Sequence, residues 1–503
     1  MEIRTVGVVG LGTMGAGIAE VFARGGLQVT AVEVDADALA RGMKTLDGSL
    51  ARSVAKGRLT EFERSEIMER VSPAQKFAEL AAADLVVEVV PERLTIKRDV
   101  IAELDRACRA DAVIATNTSS LSVTTIAAVS AHPGRVIGMH FFNPAPVMRL
   151  VEVITTVLTE PAATAAVTEM ASRLGKTPVQ VTDRAGFIAN ALLLPYLNHA
   201  VRLLETGYAS REDIDAAVTI GIGLPMGPLT LLDLIGLDTS LSVLEVLDRE
   251  FGGTRYRPAP LLRRLAEAGR TGRKSGRGFY DYSDPSRGPD PQAEPEAPGT
   301  VTLIDAGDQE ATAELATLIA AAGLNVTRNP AHPTDLAIVA IGPAGGVLEP
   351  ALAAGRAADA IGMCLHHDDQ QVPDLAQLAT SPLTTGKALA AARALLAKLG
   401  IRSVRSADRP GLLVGGLLYP HLNDAVAMVA DGYATAEDID AAMTLGCGYR
   451  RGPMRMLDDQ DPALVAEVLA AMHAADGDPA FVPRRLLLDH ARARLGFAPT
   501  PRQ

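Results

Sequence analysis

VGVVGLGTMGAGIAEVFARGGLQVTAVEVD, Val6 to Asp35, reads as a strand, a glycine turn, a helix and a second strand. Val6, Val8 and Val9 give an apolar, β-rich run, and Gly10, Gly12 and Gly15 follow with the GxGxxG spacing that lets backbone approach a pyrophosphate. The first glycine permits a tight turn, the second clears space for phosphate, and the third lets helix and sheet touch. Ile18, Ala19, Val21 and Phe22 then form a helical apolar stripe, which Gly25-Gly26 stops before a strand resumes at Leu27 to Val32. A helix N-terminus thus faces the phosphate. The acid expected to grip a ribose 2′-hydroxyl at the end of the second strand is Glu33, and its charge would repel a 2′-phosphate, so NAD is favoured over NADP. Asp35, just beyond, reads as the cap of the helix opening at Ala36.

Composition sets the wider bounds. A chain of 503 residues is long for one core, and two to four domains are expected. The net charge of −12 argues against a nucleic-acid surface, which needs clustered Lys and Arg over a whole face. Cys108, Cys364 and Cys447 lie far apart with no metal spacing, which points to buried thiols in a reducing compartment and to no zinc site. Residues 1 to 9 read as a strand and not as a signal core, and no apolar run approaches 18 residues. The expectation is a cytoplasmic protein with no membrane contact.

Further along, the helical pattern from Ala36 to Lys56 carries Lys44, Ser49, Arg52 and Lys56 on polar positions, ordinarily a solvated face. Ala83 to Val90 is a buried-type strand, followed by Pro91-Glu92 and a helix holding Lys97. Ala112 to Ala115 forms a short strand that ends in Thr116-Asn117-Thr118-Ser119-Ser120, a polar cluster where open α/β sheets place their ligands; a helix cap before Leu121 is the plainer reading. Arg135 to His140 is a strand running into Phe141-Phe142-Asn143-Pro144, and Glu152 follows on the strand Leu150 to Ile154. A His paired with a carboxylate that orients its ring, behind a nicotinamide fold, is the best general base in the chain. From Gly186 to Tyr280 the pattern is helical: Phe187 to Thr206, with Pro195 inside it, then Ser210 to Gly221, then Leu229 to Glu250. Ser283 to Gly299, rich in proline and acids, reads as a linker.

What lies beyond the linker repeats what lies before it. Asp183-Arg184-Ala185-Gly186 recurs as Asp408-Arg409-Pro410-Gly411, a displacement of 225 residues from 183 to 408. The same displacement carries Leu197-Asn198 to Leu422-Asn423, Gly207-Tyr208 to Gly432-Tyr433, and Glu212-Asp213-Ile214-Asp215 to Glu437-Asp438-Ile439-Asp440. Gly227-Pro228 and Leu232-Asp233 reappear as Gly452-Pro453 and Leu457-Asp458. Upstream, Val301 to Val326 is a shrunken echo of the opening strand, helix and strand, with Asp305-Ala306-Gly307-Asp308 where the glycine loop should be. Cys364 stands where His140 would fall, Gln377 where Glu152 would, and Gly415 where Asn190 would, so the second half reads as chemically dead.

GLGTMGAGIA at 10, NTSSLS at 117, GMHFFNPAPVMRLVEV at 138, DRAGFIAN at 183, EDIDAAV at 212, GLPMGPLTLLDLIGLD at 223 and SGRGFY at 275 resemble the L-3-hydroxyacyl-CoA dehydrogenases, in order and across the first half. The tandem second half resembles the longer bacterial form, the 3-hydroxyadipyl-CoA dehydrogenases of phenylacetate degradation. The resemblance implies oxidation of a (3S)-3-hydroxyacyl-CoA to the 3-oxoacyl-CoA, with His140 as base, Glu152 as its partner, and Ser119 and Asn190 on the substrate oxygen. It implies NAD contacts from the loop Gly10, Leu11, Gly12, Thr13, Met14 and Gly15, from Glu33, Glu92 and Lys97, and from Asn117, Asn143 and Lys274. Ser49 and Lys56 match positions that hold the CoA portion. Ala191 departs from the pattern, since an Arg commonly follows the Asn of GFIAN.

The resulting expectation is an α/β Rossmann domain (1–182), an all-α domain (183–282), a linker (283–299), a degenerate Rossmann-like segment (300–405) and a second all-α repeat (406–503). In the family helical domains of two subunits pair, so a homodimer or an intrachain pseudo-dimer is expected, with an acyl-CoA as the small-molecule partner. A related 3-hydroxy-acid dehydrogenase without CoA, of gulonate or carnitine type, and a binding pseudoenzyme are the alternatives. Arg149, Arg184 and Arg202 are candidates for reading a terminal carboxylate, with a structural role the commoner reading of each.

Overall fold

The computed structural model describes residues 2–283, 298–305, 308–328, 336–367, 370 and 372–498. Most of the linker at 283–299, and Ala306 and Gly307, lie outside them. The opening sequence does form strand, turn, helix and strand: β1 (Thr5–Val9), the helix Thr13–Arg24 and β2 (Gln28–Val32). Asp35 caps the next helix, Ala36–Ala55, accepting the Ala38 N–H. Then come β3 (Val71–Ala74), β4 (Leu85–Glu88), β5 (Val113–Thr116), β6 (Val136–Phe141), β7 (Leu150–Thr155) and β8 (Thr177–Thr182). They make one sheet in the order β3-β2-β1-β4-β5-β6-β7-β8, parallel except where β7 runs against β6. The chain winds away from β1 in both directions, so a crevice opens at the carboxyl ends of β1 and β4, where such sheets bind ligands. Near-continuous apolar strands follow from helices covering both faces, with cores built on Val8, Ile18, Phe22 and Val87 on one side and Val9, Val86, Ile101 and Ile114 on the other.

The degenerate segment forms a second, smaller sheet. It consists of β9 (Thr300–Ile304), β10 (Asn325–Arg328), β11 (Leu336–Ala340), β12 (Ala360–His367), β13 (Pro373–Thr380) and β14 (Arg402–Ala407), in the order β10-β9-β11-β12-β13-β14. A single strand, β11, stands between β9 and β12 where two stand between β1 and β6. β12 and β13 are antiparallel, as β6 and β7 are.

The helices do not keep to their own repeats. By contacts the chain divides into one unit of 1–191 with 431–448, and another of 192–430 with 449–503. In the first, the helix Ala436–Gly446 of the second repeat packs on β7 and β8. In the second, the helix Arg211–Ala216 and the π-helical turn Ala217–Ile222 of the first repeat pack on β14 and β13. There too, the long helices Ala189–Glu205 (from residue 192) and Val414–Ala430 meet: His199 Nε2 lies 3.1 Å from the Gly416 carbonyl, and Arg255 donates to the Pro420 carbonyl and pairs with Asp424.

Two expectations are corrected. Leu229 to Glu250 is not one helix but two, Pro228–Ile235 and Leu237–Phe251, because Gly236 adopts φ +104° between them. Ser210 to Gly221 begins as an α-helix and widens into the π turn at Ala217. Among the described residues no helix is long and apolar enough to cross a membrane.

Candidate active site

The glycine loop has the shape a dinucleotide requires. Gly10 sits at φ +92°, where an added Cβ would stand 2.9 Å from the Val89 carbonyl oxygen, and a side chain at Gly15 would run into the Gly10 carbonyl at 1.8 Å. At Gly12, the position that should face phosphate, an added Cβ meets nothing within 4 Å. Glu33 reaches back over this loop, its Oε1 accepting the Leu11 N–H at 2.6 Å. The loop and the acid fit NAD: an open N-terminal turn for the pyrophosphate, with the acid at the end of β2 for the ribose.

At the ends of β4 and β5, the polar residues hold each other. Lys97 is fully buried, its ammonium 2.9 Å from Glu88 Oε1 and donating to the Asn117 carbonyl at 2.8 Å. A direct contact of Lys97 with NAD has to compete with these bonds. Burial pushes the Glu88 carboxyl up, against the pull of Lys97 and of the Thr116 hydroxyl. Glu92 accepts from the Thr118 hydroxyl at 2.6 Å and the Ser119 N–H at 2.9 Å, shaping the turn that presents Ser119. The Asn117 side chain accepts the Phe141 N–H at 2.9 Å and ties this turn to β6. The cap of the following helix, Val123–Ala127, is Ser122, just beyond the cluster and not one of its residues.

His140 and Glu152 are direct cross-strand partners on β6 and β7, and Nδ1 lies 2.6 Å from Glu152 Oε2. His140 is 5% exposed and Glu152 is 0%. The other carboxylate oxygen, Oε1, accepts the N–H groups of Ile188 and Ala189 at 3.0 and 3.1 Å, at the start of the helix Ala189–Glu205. A helix N-terminus thus stabilises a carboxylate that would otherwise be costly to bury. Phe142 and Phe187 pack on the imidazole, with ring centroids 4.5 and 5.6 Å away. Phe187 is held at φ 47°, a conformation that non-glycine residues seldom adopt and that brings Ile188 and Ala189 round to Glu152. With Nδ1 committed to Glu152, Nε2 is the nitrogen left for a substrate hydroxyl. Asn190 follows directly, its Nδ2 donating to the Ser119 carbonyl at 3.2 Å, so the four residues implied in the chemistry are joined through two links.

The remaining expected residues are placed differently. Asn143 is exposed just past β6. Ser49 lies inside the helix Ala36–Ala55 and Lys56 is its exposed C-cap. Lys274 belongs to the other unit, where it pairs with Asp238 at 2.6 Å. Sequence reasoning missed Glu88, Phe187 and the Ile188 and Ala189 amides. It also missed Asp183, which accepts from the Ser122 hydroxyl and the Val123 and Thr124 N–H groups. Asp183 and Phe187 lie within DRAGFIAN, but nothing in that string says which groups they hold.

In the second sheet, Cys364 and Gln377 are the cross-strand pair. Gln377 Oε1 accepts the Leu413 and Val414 N–H groups at 2.9 and 2.8 Å, as Glu152 does with Ile188 and Ala189. Its Nε2 lies 2.6 Å from His366 Nε2. Asp308 accepts the Glu310 and Ala311 N–H groups, placing a carboxylate at the helix end where a pyrophosphate would sit.

Comparison with known proteins agrees with this geometry. The family model for the 3-hydroxyacyl-CoA dehydrogenase NAD binding domain matches residues 5–184, and that for the C-terminal domain of the same family matches residues 186–282 and 411–496. Over 498 residues the chain is 34% identical to the 3-hydroxyadipyl-CoA dehydrogenase of Escherichia coli (strain K12), covering 99% of each. Over 284 residues it is 46% identical to a probable 3-hydroxybutyryl-CoA dehydrogenase of Bacillus subtilis (strain 168), covering 56% of this chain and 99% of that one. The crystal structure of 3-hydroxybutyryl-CoA dehydrogenase from Escherichia coli K12 superposes with a TM-score of 0.83 at 31% identity, covering 98% of this chain and 99% of that one. These names do not favour a dehydrogenase without CoA or a pseudoenzyme. The chain therefore belongs to the 3-hydroxyacyl-CoA dehydrogenase family and is an NAD-dependent oxidoreductase that carries its C-terminal domain twice.

Proposed function

We propose that His140 is the general base of this dehydrogenase and that its substrate is a short 3-hydroxyacyl-CoA, of the class that includes 3-hydroxybutyryl-CoA and 3-hydroxyadipyl-CoA. The observation that carries the assignment is the buried 2.6 Å pair of His140 Nδ1 and Glu152 Oε2. Nε2 takes the proton of the C3 hydroxyl as the C3–O bond becomes a carbonyl. The positive charge that forms on the ring then lies against Glu152, which the Ile188 and Ala189 amides hold in place. Ser119 and Asn190 orient the reacting oxygen. NAD, when bound, supplies the acceptor for the C3 hydride. Phe142 and Phe187, packed on the imidazole, give the ring an apolar setting. Ser49 and Lys56 hold the CoA portion in this reading.

The relatives' names support both acyl groups. Of the three arginines that could read a terminal carboxylate, Arg184 sits against Asp431 and Tyr433, and Arg202 donates to the Thr254 and Arg257 carbonyls. Arg149 is exposed. The test is NADH formation with 3-hydroxyadipyl-CoA and 3-hydroxybutyryl-CoA side by side, with His140→Ala as control. Loss of about 10²–10⁴-fold in kcat for the variant is expected from removal of a general base. A variant that keeps wild-type kcat overturns the base assignment, and a chain that turns over neither thioester overturns the substrate class.

The second helical repeat acts in this reading as a built-in pairing partner for the first, which the contacts of Gly416, Pro420 and Asp424 with His199 and Arg255 support. A chain cut at residue 282 is expected to lose solubility or to pair with itself; a soluble, equally stable monomer would count against it. A cytoplasmic setting belongs to the same proposal, supported by three unpaired cysteines.

A further inference from the structure

The second repeat has lost its own chemistry, yet one piece of it, Asp431–Gly448, lies in the unit that holds His140 and Glu152. Contacts at its two ends tie this piece to the live site. At its start, the Tyr433 hydroxyl donates to the Thr182 carbonyl at 3.1 Å, the Arg184 guanidinium lies 4.9 Å above the Tyr433 ring, and Asp431 stands 3.9 Å from Arg184. Thr182 to Phe187 is the turn that leads directly into the two amides on Glu152. At its end, the helix Ala436–Gly446 comes down on β7 so closely that a Cβ at Gly446 would stand 2.5 Å from Leu150 Cδ2 and 3.2 Å from the Phe142 ring. Phe142 is the ring packed 4.5 Å from His140. Burial pushes the Tyr433 hydroxyl and the Cys447 thiol up, and the charge of Glu152 adds to the push on each.

We propose that Asp431–Gly448 is a positioning element of the catalytic pair: it clamps the 182–187 turn through Tyr433 and backs Phe142 through Gly446, so the silent repeat is required for the live repeat to turn over at full rate. This rests on the assignment of His140 and Glu152. None of these residues touches substrate; they act by fixing the Glu152 amides and the imidazole plane, where small displacements are costly.

The chain contains its own matched control. Gly221, displaced by 225 from Gly446, is packed just as closely, its added Cβ 2.6 Å from Val414 Cγ2 at the start of the helix Val414–Ala430 and 2.9 Å from Leu375 Cδ2 on β13. Gly446→Val and Gly221→Val therefore overpack corresponding positions that share one contact, Leu150 or its counterpart Leu375, one beside the live pair and one beside the dead pair. The readout is kcat per NADH-binding site, counted by fluorescence titration, with KM for both substrates. Gly446→Val is expected to lower kcat by about ten- to a hundredfold with both KM values nearly unchanged, and Gly221→Val to leave kcat as it was. Equal loss in the two variants, or none in Gly446→Val, overturns the proposal. If Gly446→Val binds no NADH, Tyr433→Ala decides: kcat falls with KM held, and Tyr433→Phe, which keeps the ring under Arg184, recovers part of it. Wild-type kcat in Tyr433→Ala then overturns the proposal. His140→Ala separates the two levels, since a fully active His140→Ala removes the catalytic assignment itself, whereas an inactive one beside normal Gly446→Val and Tyr433→Ala removes only the positioning role.

Discussion

Glu152 and Gln377 occupy the same place in two copies of one scaffold. Each lies opposite a residue on the neighbouring antiparallel strand, and each uses Oε1 to accept two amides at the start of a long helix. They part at the other atom. Glu152 Oε2 meets His140 Nδ1, while Gln377 Nε2 meets His366 across a strand that offers Cys364 at the histidine's position. Capping a helix needs only an oxygen, and an amide serves; orienting an imidazole and balancing its charge needs a carboxylate. The same division runs through the whole duplication. Asp183 and Asp408 both hold the opening N–H groups of a short helix about 60 residues earlier in the chain. Asn198 and Asn423 each accept one backbone N–H and donate to backbone carbonyl, Asn198 to two and Asn423 to one, and Asp233 and Asp458 each accept two N–H groups. What both halves retain are the polar atoms that satisfy backbone. The second half has Cys364 at the place of the imidazole, Gly415 at the place of Asn190 and Asp308 near the place of the glycine loop, the groups to which the proposed function assigns the chemistry.

The largest effect that would sharpen this contrast comes from giving the live half the dead half's residue. Glu152→Gln is expected to keep the Ile188 and Ala189 bonds and the fold, but to present an N–H to Nδ1 and so impose the wrong tautomer on His140. A fall in kcat of about 10²–10³-fold with KM held is predicted from steady-state kinetics. Nearly full activity in that variant would mean that the carboxylate only caps the helix. Next, Asn190→Ala removes what Gly415 lacks; stopped-flow assays should show a loss of about 10- to 100-fold from one donor missing at the reacting oxygen. The smallest effect is expected in the silent half: Cys364→Ala should leave kcat unaltered and lower the melting temperature only slightly, as for a one-atom truncation of a buried side chain. Activity that fell with Cys364 would break the comparison.

Much of this arrangement could be read before any coordinates. The glycine loop, the carboxylate at Glu33, the duplication and the pairing of His140 with Glu152 rest on short-range pattern, because strand, turn and helix punctuate the chain where Val, Gly and Asp fall. The rest is long-range. Nothing near Lys97 announces that it is buried against Glu88, since a helix of mixed charge reads as surface until strands β4 and β5 are laid beneath it. The break at Gly236 was invisible because a single glycine is tolerated inside many helices. That the second repeat's helix Ala436–Gly446 lies on β7 could not be read from sequence, for its apolar face fits either sheet.

The account requires one dinucleotide site per chain: the loop at Gly10 to Gly15 is open, and Asp308 holds the corresponding helix end in the second sheet. Calorimetric titration of the full chain with NADH measures this directly. Saturation at one NADH per chain, abolished by substituting Gly12 with a bulky residue, is the predicted result. Two equivalents per chain would show that the second half still binds cofactor and would contradict the division between a live and a silent repeat.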